Sequence, residues 1–443
     1  MSESPTTEPL ELQVVYRSIK TLSPFASNAR THSRSQIRKL RDSIRSFGFV
    51  NPVLINQAGT IIAGHGRVEA AKVLGMAEVP TICLEKLSPD QIRAYVIADN
   101  RLAEDAGWDE QILKIELQHL VALPDLDVSI TGFEVTEIDL IIGPASVEED
   151  ADDEVPEESG KIISQAGDLW CLGDHRIYCG DARMKSSFST LMGDKRANIV
   201  FTDPPFNVCI SGHVSGNGKI EHPEFAMASG EMSEPEFTQF LTTCLGHLGK
   251  WSTDGSVHFV AMDWRHMTEL LSAGRQAYDS LLNLCVWNKN NGGMGSFYRS
   301  QHELIFVFKS GKEPYRNNIQ LGKFGRNRTN SWNYPGANTL SRTGEEGNVL
   351  AMHPTVKPIA LVADALLDCS ARGEIVLDSF LGAGSTLLAA ERVGRVCYGM
   401  EIEGRYIDLT IRRWQQLTGE RAYKSGTGVT FDEHVFEEVS RGR

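Results

Sequence analysis

The sequence has no Cys-x-x-Cys pair among its 8 cysteines and no metal-like spacing among its 12 histidines. It also has no apolar run of about 18 residues, the length that spans a bilayer as a helix. The first absence argues against a zinc ribbon or a disulfide framework, so reduced thiols in a cytoplasmic protein are expected. The others leave no metal site to name and no membrane partner, and no signal peptide is visible. Basic charge is scarce as well: Lys and Arg total 44 against 58 Asp and Glu, a net charge of −14. Nucleic-acid-binding chains are usually basic. The deficit is local, however. Residues 148–158 hold eight acidic side chains and no basic one, and without them the chain carries only −6.

Two short runs hold most of the remaining information. Residues 197–206 read Ala-Asn-Ile-Val-Phe-Thr-Asp-Pro-Pro-Phe, an apolar run of strand type halted by two prolines. Proline lacks a backbone N–H, so the sheet stops there and carbonyl oxygens are left at the strand's carboxyl end, where open α/β sheets bind ligands. At that point Asp203 offers a carboxylate, Pro204 a carbonyl and Phe206 a ring face, with Pro205 completing the turn. Two acceptors beside a stacking ring suit the exocyclic amino group of a base. Accepting both of its hydrogens favours a tetrahedral nitrogen whose lone pair can attack an electrophilic methyl.

The second run, residues 374–403, predicts a strand, a glycine-bearing loop, a helix with Ser385 as its cap, and a second strand: a parallel βαβ unit. Gly382 and Gly384 let a ligand approach the backbone, and Glu401, 17 residues after Gly384, is placed to accept ribose hydroxyls. A dinucleotide fits poorly, because Leu387 stands at the third glycine position of its fingerprint and the loop has no basic residue for a pyrophosphate. A cofactor with a ribose and no phosphate fits better. S-adenosylmethionine is such a cofactor, and it also carries a methyl group.

Together the runs resemble the amino-methylating DNA methyltransferases in their β order, where Asp-Pro-Pro-Tyr/Phe precedes Phe-x-Gly-x-Gly, here Phe380 to Gly384. The likeness covers roughly residues 165–420. It implies a Rossmann-like α/β methyltransferase sheet with catalytic Asp203, Pro204, Pro205 and Phe206, and a cofactor site at Asp378, Phe380, Gly382, Gly384 and Glu401. Residues 353–358, His-Pro-Thr-Val-Lys-Pro, are similar to the family element that packs against the cofactor's methionine, which implies that role for His353, Thr355 and Lys357. Gly180-Asp181 is similar to a Gly-Asp segment of the cofactor pocket, and residues 300–309 resemble a framework strand that brings Arg299 to Glu303 near the active-site mouth.

The chain has no Pro-Cys dipeptide, which cytosine carbon-5 methylation needs, so Cys209 is expected to be structural. In the family, Asp in the first motif position goes most often with adenine and Ser with cytosine-N4. Asp203 therefore points to adenine-N6, with cytosine-N4 as the alternative. Phe206 replaces the commoner Tyr and keeps the stacking face.

A base within a duplex must be flipped out before it reaches such a pocket, and phosphate contacts have to offset that cost. Lys309, Lys312, Arg316, Lys323, Arg326 and Arg328 stand against the single acid Glu313, so double-stranded DNA is expected there, within a target-recognition region over 309–345. The glycine-rich stretches 212–218 and 292–295 are expected to be loops that close over DNA and cofactor.

The amino-terminal third reads differently. Gly64-His65-Gly66-Arg67 follows a strand and opens a helix, a geometry that presents N–H groups and a guanidinium to a phosphate. With the apolar runs around it, and with residues 90–105, this segment resembles the ParB/sulfiredoxin-like domain in its phage-associated form, a small α+β unit that implies DNA engagement or partner binding through Gly64 and Arg67. The expected organisation is a disordered tail over 1–11, the ParB-like domain over 12–110, a helical extension over 111–142, an acidic linker over 143–160 and the methyltransferase over 161–443. The expected activity is site-specific adenine-N6 methylation of DNA. Its rival from another class is a non-catalytic ParB-like DNA-binding or partition protein. A homodimer and a partner nuclease are left open.

Overall fold

A computed structural model describes residues 12–104, 107–121, 123, 126–142, 162–208, 230–289, 292, 297–319, 328–335 and 356–441. The expected tail over 1–11 and linker over 143–160 lie outside the described residues, as do Cys209, the glycine stretch 212–218, residues 293–295, Lys323, Arg326, His353 and Thr355. The chain divides into two compact units, residues 1–142 and 143–443.

The first unit contains β1 (Val14–Ser18), β2 (Ser23–Pro24), α1 (Arg34–Phe47), β3 (Val53–Ile55), β4 (Thr60–Ala63), α2 (His65–Val73), β5 (Glu78–Cys83), α3 (Pro89–Glu104), α4 (Glu110–Val121) and α5 (Val135–Ile142). Its mixed sheet runs β1-β5-β3-β4-β2. Ile19, Val53, Ile55, Ile61, Val68, Ala71 and Val79 form the core between this sheet and α2. The apolar run beginning at Val50 pairs only from Val53, because Pro52 has no N–H to give a ladder and Val50 is exposed. Lys39 of α1 bonds the Gly132 carbonyl at 2.7 Å and Glu134 at 2.9 Å, which ties the segment before α5 to this unit.

The second unit contains β6 (Leu169–Leu172), β7 (His175–Cys179), α6 (Lys185–Met192), β8 (Ala197–Thr202), α7 (Glu234–Lys250), β9 (Ser252–Met262), α8 (Met267–Ala277), β10 (Ser280–Asn288), β11 (His302–Ser310) and β12 (Ser331–Asn333). It continues with α9 (Ile359–Cys369), β13 (Ile375–Asp378), α10 (Ser385–Arg392), β14 (Val396–Glu401), α11 (Gly404–Thr418), β15 (Tyr423–Lys424) and α12 (Phe431–Arg441). One ten-stranded sheet runs β12-β10-β11-β9-β8-β13-β14-β7-β6-β15.

The central strands β8, β13, β14 and β7 are parallel and mostly buried, as strands covered on both faces are. The pleat sorts their side chains by period two. Ile199, Phe201, Val376 and Cys397 join Leu361, Leu387, Ile407 and Trp414 on one face. Val200, Leu377 and Met400 join Phe188, Phe237, Leu241 and Leu270 on the other. The carboxyl ends of β8, β13, β14 and β7 therefore open side by side.

A half-buried ion cluster fastens the β12 segment to α9. Arg328 reaches Asp364 at 2.7 Å and Asp368 at 2.9 Å, and its guanidinium lies 5.1 Å from the Trp332 ring centroid. Tyr334 donates its hydroxyl to Asp364 as well. Removing the cation would strand two acids that share it, so Arg328→Met is expected to lower stability by roughly 3 kcal/mol. Urea unfolding with an unchanged midpoint would contradict this.

Candidate active site

Strand β8 ends where Pro204 and Pro205 begin, and the side chains that follow enter a cavity of about 140 Å³ over the aligned strand ends. The same cavity is lined by Asp181, Asp203, Phe206, Lys357, Phe380 and Glu401, so both halves of the sequence motif pair meet in one space.

The loop after β13 is shaped from beneath by Asp378, which accepts from Thr202 Oγ1 at 2.8 Å, Thr386 Oγ1 at 2.7 Å and the Phe380 amide at 3.0 Å. Burial pushes its carboxyl up to about 6 against those bonds. Asp378 thus organises the loop with both oxygens already engaged. Gly384 has φ +86°, and a Cβ there would lie 2.7 Å from the Thr410 side chain, so no other residue fits. Gly384 is also the residue that precedes α10, which begins at Ser385 without a side-chain cap. The cap expected from Ser385 is therefore corrected: the left-handed glycine turns the chain, and Ser385 is the first helical residue. Glu401 accepts from the Gly382 amide at 2.9 Å and the Glu403 amide at 3.0 Å, one on each oxygen. Burial, with the nearby Glu403 charge, pushes its carboxyl up to about 7.

These residues fit S-adenosylmethionine. Of the carboxylates on the cavity wall, Asp181 pairs with Arg183, Glu403 with Arg405 at 2.7 Å and Asp203 with Lys357, which leaves Asp378 and Glu401 without a cation among the described residues. That balance suits a ligand with sulfonium and ammonium charges and opposes a pyrophosphate. Ser379 Oγ, also on the wall, is buried with no protein partner and is free to meet a ligand. Asp181 closes the far side, with its carboxylate bonded by Arg183 at 2.7 Å.

At the other end, Lys357 donates to Oδ2 of Asp203 and lies 3.0 Å from Glu303, which Lys289 also bonds. Oδ1 of Asp203 is buried and has no partner. The Lys357 ammonium sits 5.6 Å from the Phe206 ring centroid and 5.8 Å from that of Trp287. Burial alone would lower the Lys357 pKa, and the two carboxylates reverse this and hold the ammonium. Burial would raise Glu303, but Lys357 and Lys289 bring it down. Asp203 is the weaker acid of the two: burial, with Glu303 adding to it, raises its carboxyl although Lys357 and Lys289 oppose. Asn207 secures the following turn in a left-handed conformation, φ 55°, by accepting from the Gly230 and Met232 amides and donating to the Met232 carbonyl at 2.8 Å.

Several expectations change. Lys357, expected at the cofactor's methionine, lines the cavity and also clamps Asp203. Sheet register sets the described members of the basic run, Lys309, Lys312, Arg316 and Arg328, apart from the site, while Lys323 and Arg326 lie outside the described residues. Thr202 of β8 lies opposite Val260 of β9, Leu304 of β11 opposite Met262, and Lys309 opposite Val257. Lys309 is thus six residues, about 20 Å, from Glu303 toward the amino end of the sheet. There its ammonium bonds the carbonyls of Lys312 and Glu313, and Arg316 pairs with Glu374 at 3.0 Å, just before β13. Lys309, Lys312 and Arg316 therefore stand at the end of the sheet opposite Asp203, and Arg328 is an internal ion-pair residue. Conversely, Glu303, Lys289, Trp287, Thr202, Thr386 and Asn207 build the site without having been assigned to it. Only the placing of residues 299–303 near the mouth hinted at Glu303. In the first unit, Gly64 precedes α2 in the left-handed region, φ +101°, and Arg67 folds back over it to the Pro52 carbonyl at 3.3 Å.

The DNA methylase family matches residues 197–412, the ParB-methyltransferase HTH domain residues 111–166 and the ParB N-terminal domain residues 7–100. The ParB-like nuclease domain-containing protein YnaK of Escherichia coli (strain K12) is 54% identical over 81 residues, 18% of this chain and 93% of that protein. Type II methyltransferase M2.MboI of Moraxella bovis is 22% identical over 238 residues, 52% of this chain and 85% of that protein. Among solved structures, the M1.HpyAVI-SAM complex is 18% identical and matches 54% of this chain and 97% of its own, with a TM-score of 0.40. The second unit thus carries an S-adenosylmethionine-dependent, amino-methylating N6/N4 DNA methylase domain, and the amino-terminal unit belongs to the ParB-like family.

Proposed function

We propose that this methylase acts on the N6 amino group of adenine flipped out of duplex DNA, with Asp203, Pro204 and Phe206 as its catalytic residues. The observation that carries the amino-group reading is the buried, unpartnered Oδ1 of Asp203, beside a proline turn and a ring face; the choice of adenine over cytosine rests on Asp203 in the first motif position. An acceptor left open in a buried site costs stability unless a donor from outside fills it. An amino hydrogen is such a donor. Oδ1 and the Pro204 carbonyl each take one hydrogen, and Phe206 lies against the base.

S-adenosylmethionine supplies a methyl group activated by its sulfonium when bound. The chain's own residues orient the nitrogen lone pair for in-line attack and exclude water. Orientation of this kind supplies effective molarities of about 10⁵ M or more. Carbon–nitrogen bond formation leaves one proton in excess on the amino nitrogen. Oδ1 of Asp203 receives it, a task that its raised carboxyl pKa favours. Glu401 and the backbone at Gly382 hold the ribose, and Asp181 closes the cavity beyond. The ParB-like unit is proposed to engage DNA.

Two outcomes test the reading. Purified protein incubated with S-adenosylmethionine and unmethylated genomic DNA should yield N6-methyladenine in nucleoside digests analysed by mass, and Asp203→Ala should abolish it while keeping cofactor affinity. N4-methylcytosine would favour the alternative base, and lost cofactor affinity in Asp203→Ala would contradict the division of labour. The ribose role of Glu401 has a pH signature. Its carboxyl, raised to about 7, must be ionised to accept hydroxyl hydrogens. Cofactor affinity measured by calorimetry should be flat above that pH and fall about tenfold per unit below it. Affinity independent of pH would remove Glu401 from the ribose.

A further inference from the structure

The two most exposed large hydrophobic side chains among the described residues are neighbours, Phe297 and Tyr298, each 85% exposed. Their ring centroids lie 4.3 Å apart at an interplanar angle of 55°. Adjacent aromatics held in water mark a surface that some flat apolar partner covers. Their position identifies that partner.

They stand on the connection between β10 and β11. β10 is antiparallel to β11, β11 antiparallel to β9, and β9 parallel to β8. The connection therefore rises from the same end of the sheet as Pro204. Its neck is closed by the Lys289 amide on the Gln301 carbonyl at 2.9 Å and by the Gln301 side chain on the Lys289 carbonyl at 2.8 Å. Arg299 bonds the Gly292 carbonyl at 2.7 Å across the loop. The same Lys289, together with Glu303 at the start of β11, belongs to the chain of contacts ending on Asp203. The aromatic pair is thus borne on a hairpin rooted in the catalytic cluster.

We propose that Phe297 and Tyr298 are a stacking wedge that enters the duplex beside the target base and occupies the space the flipped base leaves. The inference rests on the DNA-methylase reading and extends it to a specific surface. Removal of one base exposes the faces of its two neighbours. An aromatic ring restores stacking on them without reading sequence, as apolar wedges do in kinked DNA. The wedge lowers the cost of flipping, so its contribution vanishes when the base has little pairing to lose.

This defines the test. After the methylated sequence has been mapped with the wild-type protein, short duplexes carrying it are prepared fully paired and with an abasic site opposite the target base. For Phe297→Ala/Tyr298→Ala, kcat/KM on the paired duplex should fall by about tenfold or more relative to the abasic-opposed duplex, the scale of one base–aromatic stack. Equal losses on both duplexes, as a folding or general affinity defect would produce, would overturn the wedge. A second readout needs no turnover: Phe297→Trp should lose about half or more of its added emission on binding the paired duplex, through stacking with bases. Unchanged emission in a bound complex would likewise overturn the proposal. A wild-type protein that methylates no DNA would instead overturn the methylase reading beneath it.

Discussion

Lys357 reaches a single oxygen of Asp203, and the chemistry depends on the oxygen it leaves open. A buried carboxylate without a counter-ion would take up a proton, and one gripped on both oxygens would have nothing to offer a substrate. One-sided pairing avoids both. It works only because Glu303 and Lys289 continue the alternation of charge, so that two carboxylates and two ammoniums share the buried region without a net excess. Trp287 and Phe206 pack around the Lys357 cation and restrict where it can go.

The cofactor half of the cavity follows the opposite principle. Its carboxylates are not neutralised by side-chain cations of the loop; backbone amides and hydroxyls hold Glu401 and Asp378, both of which burial makes weaker acids. The wall is left rich in acceptors and ready for a cationic ligand. Both halves are fixed by parallel strands that end together, a consequence of prolines after β8 and glycines after β13.

The sequence made the backbone of this site legible. A strand halted at Pro204 and a glycine loop before α10 are local features set by N–H loss and by φ, and neighbouring residues decide them. Electrostatic partnership was not legible in the same way. Lys357 and Asp203 are 154 residues apart, and nothing in either segment says which carboxylate a lysine will face. For the described part of the basic run the reason is related: charge density along the chain carries no information about which end of a sheet it occupies. Lys309 lies on the same strand as Glu303, yet six residues of extended chain carry it away from the site. Arg328 stands in the DNA-facing run by sequence, whereas in the fold it pairs with Asp364 and Asp368, more than thirty residues on.

The most direct measurement of the one-sided clamp is single-turnover methyl transfer by Asp203→Asn with and without Lys357→Met. In Asp203→Asn the ammonium attracts the amide oxygen, so the amide NH₂ faces the substrate amino group and transfer should be lost. Adding Lys357→Met releases the amide to turn its oxygen toward the substrate, so the double variant should transfer methyl faster than Asp203→Asn alone. A double variant slower than, or equal to, Asp203→Asn would show that Lys357 does not set which oxygen Asp203 presents.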